Sequence, residues 1–322
     1  MRPGTGRRRE AASVSIRFSM NPTDPSSAGA PARAVVRALR PHQWAKNALA
    51  VLPAFLAHRM GEPKILALTG WAVVALCLCA SGTYVVNDLL DQEHDRSHPT
   101  KRHRPFASGA LSPSTGIGLA VALVGGAFGL ATLTLPSAFL AALGAYTITT
   151  LAYSLRLKSV PLLDVLVLAG LYALRVIAGG AATGIPLSGW LLAFSMFFFL
   201  GLALLKRYTE LRRIETGEAS AENGRGYVAD DAALVRVLGP TCGLLSILVL
   251  ALYMSSPEIQ TLYTHPSWIG LALPAVLYWT MRMWLLAHRG KMLDDPVLFA
   301  VKDGVSYGVV ATVALVLTFA AR

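Results

Sequence analysis

The sequence predicts an all-α, polytopic membrane protein, a helix bundle with a cavity open to the cytoplasm. Three observations carry that prediction. Of 322 residues, 54% are hydrophobic and only 15% are charged, which is poor in charge for a soluble protein. The stretches 66–86, 109–155, 176–205, 237–257, 259–281 and 304–321 contain no charged residue. A spanning helix needs about 20 apolar residues, so the longest stretch must hold two crossings or a crossing and a loop. The remaining charge collects in the segments between.

The elements follow in order. Residues 1–32 are rich in Arg, Pro, Ser and Gly and lack an apolar signal-peptide core. They read as a disordered tail, with Met1 and Met20 both open as the start, and residues 33–322 read as one transmembrane domain. Nine spans are expected, at about 46–60, 65–86, 111–133, 137–155, 161–179, 188–206, 235–255, 267–287 and 299–320. The first is the shortest. Turn residues separate them, among them Gly61, Pro63, Pro136, Gly184, Pro186, Pro257, Pro266 and Pro296.

The net charge of +11 reflects basic loops, and no aromatic–basic interleaving supports a nucleic-acid partner. Basic residues precede span 1 and follow spans 2, 4, 6 and 8. The loops after spans 3, 5 and 7 hold only Glu258, and the loop after span 1, with Arg59 and Lys64, is the exception. The alternation puts the N-terminus and the polar loops on the cytoplasmic side. A transporter needs polar groups at mid-membrane; one-sided polar loops point instead to chemistry at the cytoplasmic surface. Cys77, Cys79 and Cys242 lie in apolar runs and read as small core residues.

The chemistry-bearing residues begin where span 2 ends, in "NDLLDQEHDRSHPTKRHRP" (87–105). Asp88, Asp91 and Asp95 are spaced i, i+3, i+7, one face of a helix. Carboxylates so close repel unless a cation lies between them. An oxygen-only donor set suits Mg2+, which prefers sites completed by phosphates, and Asn87 adds an amide. Lys101, Arg102 and Arg104 follow at once and supply the cationic half of a phosphate clamp. Asp164 and Arg175 share a face of span 5, but eleven residues rise about 16 Å, so they are not expected to touch. After span 6 come Lys206, Arg207 and Glu210, with a Lys206–Glu210 surface pair as the plain reading. Before span 1, Trp44 fits an interfacial anchor and Lys46 a snorkelling cation.

These residues resemble the UbiA superfamily of intramembrane prenyltransferases. "NDLLDQEHD" after the second span looks like its first Asp-rich motif. The second Asp-rich motif of that superfamily, at the end of span 6, is replaced here by "KRYTEL". That exchange turns a metal site into an anion site. It is similar to the branch that transfers phosphoribosyl to a polyprenyl phosphate for arabinan cell-wall precursors. "RPHQWAKN", "YSLRLK", "LRVIAGG" and "TGIPLS" match as well. The resemblance implies a UbiA-like bundle and a multi-pass enzyme of the plasma membrane. Asp88, Asp91 and Asp95 would hold Mg2+ and the pyrophosphate leaving group. Lys46, Lys101, Arg102 and Arg104 would bind the donor phosphates, with Asn47 and Asn87 among the other substrate-binding residues. Tyr153, Lys158, Asp164, Arg175, Lys206, Arg207 and Glu210 would complete the substrate site. The implied partners are the membrane, phosphoribosyl pyrophosphate and a polyprenyl (decaprenyl) phosphate, with homo-oligomerisation left open. The alternatives are ordinary prenyl transfer to a small or aromatic acceptor, and terpene cyclisation.

Overall fold

The computed structural model describes residues 29–97, 101–217, 225–292 and 295–321, and these are helical apart from turns. The tail expected over 1–32 lies outside the described residues except for its last four, which open helix α1 (Gly29–Leu39). A 3-10 segment, Pro41–Val51, and the short α2 (Leu52–Leu56) follow. Then come α3 (Pro63–Leu90), α4 (Gln92–Ser97), α5 (Pro113–Thr134), α6 (Ser137–Leu155) and α7 (Leu163–Thr183). After them come α8 (Gly189–Glu215), α9 (Asp231–Tyr253), α10 (Pro257–Leu262), α11 (Ala272–His288), α12 (Pro296–Ala300) and α13 (Gly304–Ala320).

Among the described residues, seven helical stretches are long and apolar enough to cross a membrane: α3, α5, α6, α7, α8, α9, and Pro266–His288, which includes α11. Seven of the nine expected spans therefore have an apolar helix of sufficient length. The other two do not. The eighth apolar helix, α13, has 17 residues. The expected first span is not a continuous α-helix. It begins as 3-10, turns α only at Leu52 and stops at Leu56. Pro53 cannot donate to the preceding turn, and Lys46 and Asn47 make the segment too polar to pack as a plain apolar rod.

Two close approaches position this irregular segment. A Cβ on Gly179 of α7 would lie 2.0 Å from the Ala50 carbonyl oxygen, so the two backbones are in direct contact and only glycine fits. The Trp44 indole N–H donates to Ser81 Oγ at 2.9 Å, and Ser81 in turn donates to the Leu39 carbonyl at 2.9 Å. The segment is thus seated between α3 and α7, with Lys46 and Asn47 buried. Lys46 does not snorkel, and Trp44 is a strut to α3 as well as a partly exposed ring.

Helix α8 packs on α9, and α3 on α5. Two apolar clusters result. One joins α7, α8, α9 and α11 around Phe199, Leu205, Leu211 and Met283. The other joins α3, α5, α6 and α7 around Leu76, Phe139, Leu143 and Tyr146.

Candidate active site

At the end of α3 the helix does not stop at the first aspartate. Asp91 is its C-cap, yet Asp91 N–H still reaches the Asn87 carbonyl (2.9 Å) and Asp95 N–H the Asp91 carbonyl (2.8 Å). These two bonds carry the chain across the join into α4, but Asp91 leaves the helical conformation there (φ −90, ψ 5), so the three carboxylates do not share the single helix face expected of them. Asp88 and Asp95 are buried and converge on Arg104, whose Nη1 lies 3.2 Å from Asp88 Oδ1 and 2.6 Å from Asp95 Oδ2. Arg40 also pairs with Asp88. Asp91 turns elsewhere: Lys158 Nζ donates to its Oδ1 at 2.5 Å and Asn87 Nδ2 to its Oδ2 at 3.0 Å. Repulsion among the three acids is therefore answered by three cations, one of which, Arg40, sequence reasoning passed over as loop charge. Arg40 adopts a left-handed backbone (φ 51, ψ 58) immediately before Pro41. That conformation is uncommon for a residue with a Cβ.

The loop behind these acids is anchored. Phe106 is fully buried against Val85 and Leu89, Gln92 Nε2 donates to the Phe106 carbonyl at 3.0 Å, and Arg37 to the His103 carbonyl at 2.8 Å. The basic run divides in consequence. Arg104 faces the acids, whereas Arg102 is exposed and reaches His103. Lys101 is half-buried. Burial and the neighbouring Arg104 and Arg225 push its ammonium pKa down, while Asp95 and Glu210 oppose them. Lys101 thus feels both Asp95 of α4 and Glu210 of α8.

On the opposite side, Asp164 and Arg207 are fully buried and paired, and the Tyr227 hydroxyl donates to Asp164 Oδ1 at 2.6 Å. Arg207 also pairs with Glu210, which has Arg225 at 3.7 Å. Glu210 thus takes Arg207 and Arg225 instead of Lys206, the i+4 partner that spacing suggested. Tyr153, on α6, lies near enough to Arg225 to act on its charge.

Lys206 points to another acid. Its Nζ lies 3.3 Å from Asp295 Oδ2, and Lys46 Nζ lies 2.6 Å from the same oxygen. Burial pushes the Asp295 carboxyl pKa up, but Lys206 and Lys46 outweigh it and hold the group below the ordinary carboxylate range. Asp295 was not among the expected site residues. It lies 249 residues from Lys46, and the only local signal was a pair of acids, Asp294 and Asp295, ahead of Pro296.

Arg175 fills the depth of the site. Its Nε donates to Asn47 Oδ1 (2.9 Å), Nη2 to the Tyr146 hydroxyl (2.9 Å) and Nη1 to the Leu171 carbonyl (2.5 Å). Tyr146 and Tyr172 lie 4.8 and 5.5 Å from the guanidinium carbon. These partners are neutral. As expected, Arg175 and Asp164 do not pair with each other.

The donor chemistry fits Mg2+ in one respect. A single cationic nitrogen of Arg104 already bridges carboxylates seven residues apart, and the donors are all oxygen. Among the described residues no three His, Cys, Asp or Glu side chains are grouped closely enough to hold a metal by themselves. Such a pair of carboxylates suits a cation that keeps waters and shares substrate phosphates.

The model of the UbiA prenyltransferase family matches residues 47–302. The chain belongs to that family. It is therefore an enzyme of a multi-pass membrane fold, and the resemblance read from the Asp-rich motif holds. NoeC, a nodulation protein of Azorhizobium caulinodans, is 35% identical over 283 residues, 88% of this chain and 91% of its own length. The protein y4nM of Sinorhizobium fredii is 38% identical over 277 residues, and the chain spans only about half (54%) of its length. The decaprenyl-phosphate phosphoribosyltransferase of Mycobacterium tuberculosis is 38% identical over 217 residues, 64% of this chain and 70% of that enzyme. Among solved structures, a UbiA homologue from Archaeoglobus fulgidus bound to DMAPP and Mg2+ superposes with a TM-score of 0.68. It is 15% identical and covers 88% of this chain and 99% of its own. That likeness establishes the fold.

Proposed function

We propose that this protein transfers the 5-phosphoribosyl group from phosphoribosyl pyrophosphate to a polyprenyl phosphate and releases pyrophosphate. The observation that carries the reading is the meeting of Lys46 and Lys206 at one carboxylate oxygen, beside a buried Arg175 held by neutral groups. Where the family resemblance leads one to expect a second acidic motif, the site is cationic, as suits a second phosphate. The identity to decaprenyl-phosphate phosphoribosyltransferases supports the same reading.

Asp88, Asp91 and Asp95 would hold Mg2+, which when bound neutralises the diphosphate and makes it a better leaving group. The Archaeoglobus homologue's Mg2+ supports this assignment. Arg104, Lys158 and Lys101 stand beside those acids and would take diphosphate oxygens. Lys46, Lys206 and Arg175 would take the phosphate of the acceptor or the 5-phosphate of the donor. One oxygen of the acceptor phosphate attacks ribose C1, and the bond from C1 to the pyrophosphate oxygen breaks with its electron pair leaving on pyrophosphate. The attacking oxygen is already ionised, so no general base is required, and positioning and charge neutralisation supply the catalysis. Asp164, Arg207, Tyr227 and Glu210 act as the frame that holds α7, α8 and the loop before α9 together. We read the 41–56 segment and α13 as the two further crossings, nine in all, with the acids of α3 on the cytoplasmic face of the plasma membrane.

Membranes containing the protein, given labelled phosphoribosyl pyrophosphate, are expected to yield lipid-soluble label only when a polyprenyl phosphate is also supplied. Label passing instead from a prenyl diphosphate to a small acceptor would replace this reading with ordinary prenyl transfer.

A further inference from the structure

Asp295 belongs to no motif, yet it ties together two cations from distant parts of the chain. Lys46 and Lys206 share its Oδ2, at 2.6 and 3.3 Å. Its Oδ1 accepts from the Val297 N–H at 3.1 Å and caps α12. The carboxylate is therefore fixed by the backbone on one side and by ammonium groups on the other. The Tyr172 ring links this group to Arg175, with Lys46 Nζ 5.7 Å and the Arg175 guanidinium carbon 5.5 Å from its centroid. Two ammoniums thus meet one carboxylate, and the Arg175 guanidinium shares the Tyr172 ring with one of them. Lys46 and Asp295 are nearly buried, while Lys206 is about 29% exposed and opens the cluster to solvent.

We propose that Asp295 is an internal counter-anion standing where a phosphomonoester binds, and that it sets the specificity of the site for phosphate. It keeps Lys46 and Lys206 together when no substrate is bound, and the incoming phosphate must compete with it for both lysines. A phosphomonoester carries close to two charges at neutral pH and three acceptor oxygens, so it can replace one carboxylate on two ammoniums. A singly charged anion gains little by the exchange. Competition lowers apparent affinity by the fraction of molecules whose lysines are free. The inference rests on the proposed phosphate-bearing substrate and adds a specificity-determining residue to it.

The test uses the full chain in detergent, with inorganic phosphate as the probe and calorimetry as the readout. Asp295→Asn keeps the length of the side chain and a capping oxygen but removes the competing charge. Phosphate is expected to bind it about tenfold more tightly than the wild type, the loss of one competing charge-assisted contact. Adding Lys46→Met should erase that gain. Unchanged or weaker binding in Asp295→Asn, or a gain that survives Lys46→Met, overturns the proposal. If Asp295→Asn does not fold, Asp295→Ser retains a capping oxygen and takes its place. Competition by farnesyl phosphate or by ribose 5-phosphate tells whether the lipid or the sugar supplies the phosphate. The readout needs no turnover. A chain that transferred prenyl groups but still bound phosphate more tightly without Asp295 would overturn the phosphoribosyl reading and leave this inference standing.

Discussion

Two charged clusters in this molecule are built from the same residue types, and they differ in whether solvent can reach them. At the end of α3, Asp88 and Asp95 are buried but their partners Arg40 and Arg104 remain 18% and 26% exposed. Between α7 and α8, Asp164 and Arg207 are both sealed, with Tyr227 closing the remaining carboxylate oxygen. An ion pair with one wet partner can exchange that partner for a ligand. A fully buried pair cannot, because separating it strands a charge in a low-dielectric interior. The first cluster is thus equipped for chemistry and the second for holding helices.

That contrast can be broken by substitution. The largest effect is expected from Asp88→Asn, which should lower turnover by roughly a thousandfold, the several kcal/mol that neutralising a diphosphate supplies. Its fold should persist, because Arg40 and Arg104 can hydrate. Activity near wild type at saturating Mg2+ would remove Asp88 from the metal site. Asp164→Ala should act the other way, costing about 3 kcal/mol of stability, because the buried Arg207 loses its sealed partner and keeps only the partly exposed Glu210. Denaturant unfolding in detergent measures this, and adding Arg207→Leu should restore part of the loss. If Asp164→Ala unfolded like the wild type but had lost activity, the sealed pair would be a working part of the site. The smallest effect tests the basic run. Arg102→Ala should leave the KM for either substrate within about twofold, since the side chain is in solvent, whereas Lys206→Ala should raise the KM of one substrate roughly 10- to 100-fold. Equal effects at the two positions would erase the distinction between a directed cation and loop charge.

Much of this was legible in the sequence. Charge-free runs located α3, α5, α6 and α9 within a few residues, because lipid demands a continuous apolar helix and tolerates few alternatives; α7 was found despite Asp164 and Arg175, and α8 continues to Glu215, nine residues beyond the expected end. The aspartates after α3 were legible because their spacing is local and helical. Three things were not. The 3-10 segment at 41–51 depends on Gly179, far along the chain, leaving space for the Ala50 carbonyl. The partner of Lys206 is Asp295, 89 residues away, so i+4 spacing pointed wrongly to Glu210. Arg207, adjacent in sequence to Lys206, faces inward to Asp164 because neighbouring residues on a helix point about 100° apart. One dipeptide therefore contributes one cation to the cavity and one to the frame.

The left-over irregularity of the 41–51 segment has a consequence for biosynthesis. A stretch of this length containing Lys46 and Asn47 has little reason to partition into lipid on its own during synthesis. Its seat on α7 exists only after Gly179 has been made, and the hydrogen bond from Arg175 to Asn47 spans 128 residues. The carboxylate that pairs with Lys46 emerges later still, 249 residues downstream. The amino-terminal part of the pocket must therefore wait, incompletely docked, until residue 295 has left the ribosome. Nascent chains released before Asp295 would carry Asp88, Asp91 and Asp95 and still lack an assembled pocket.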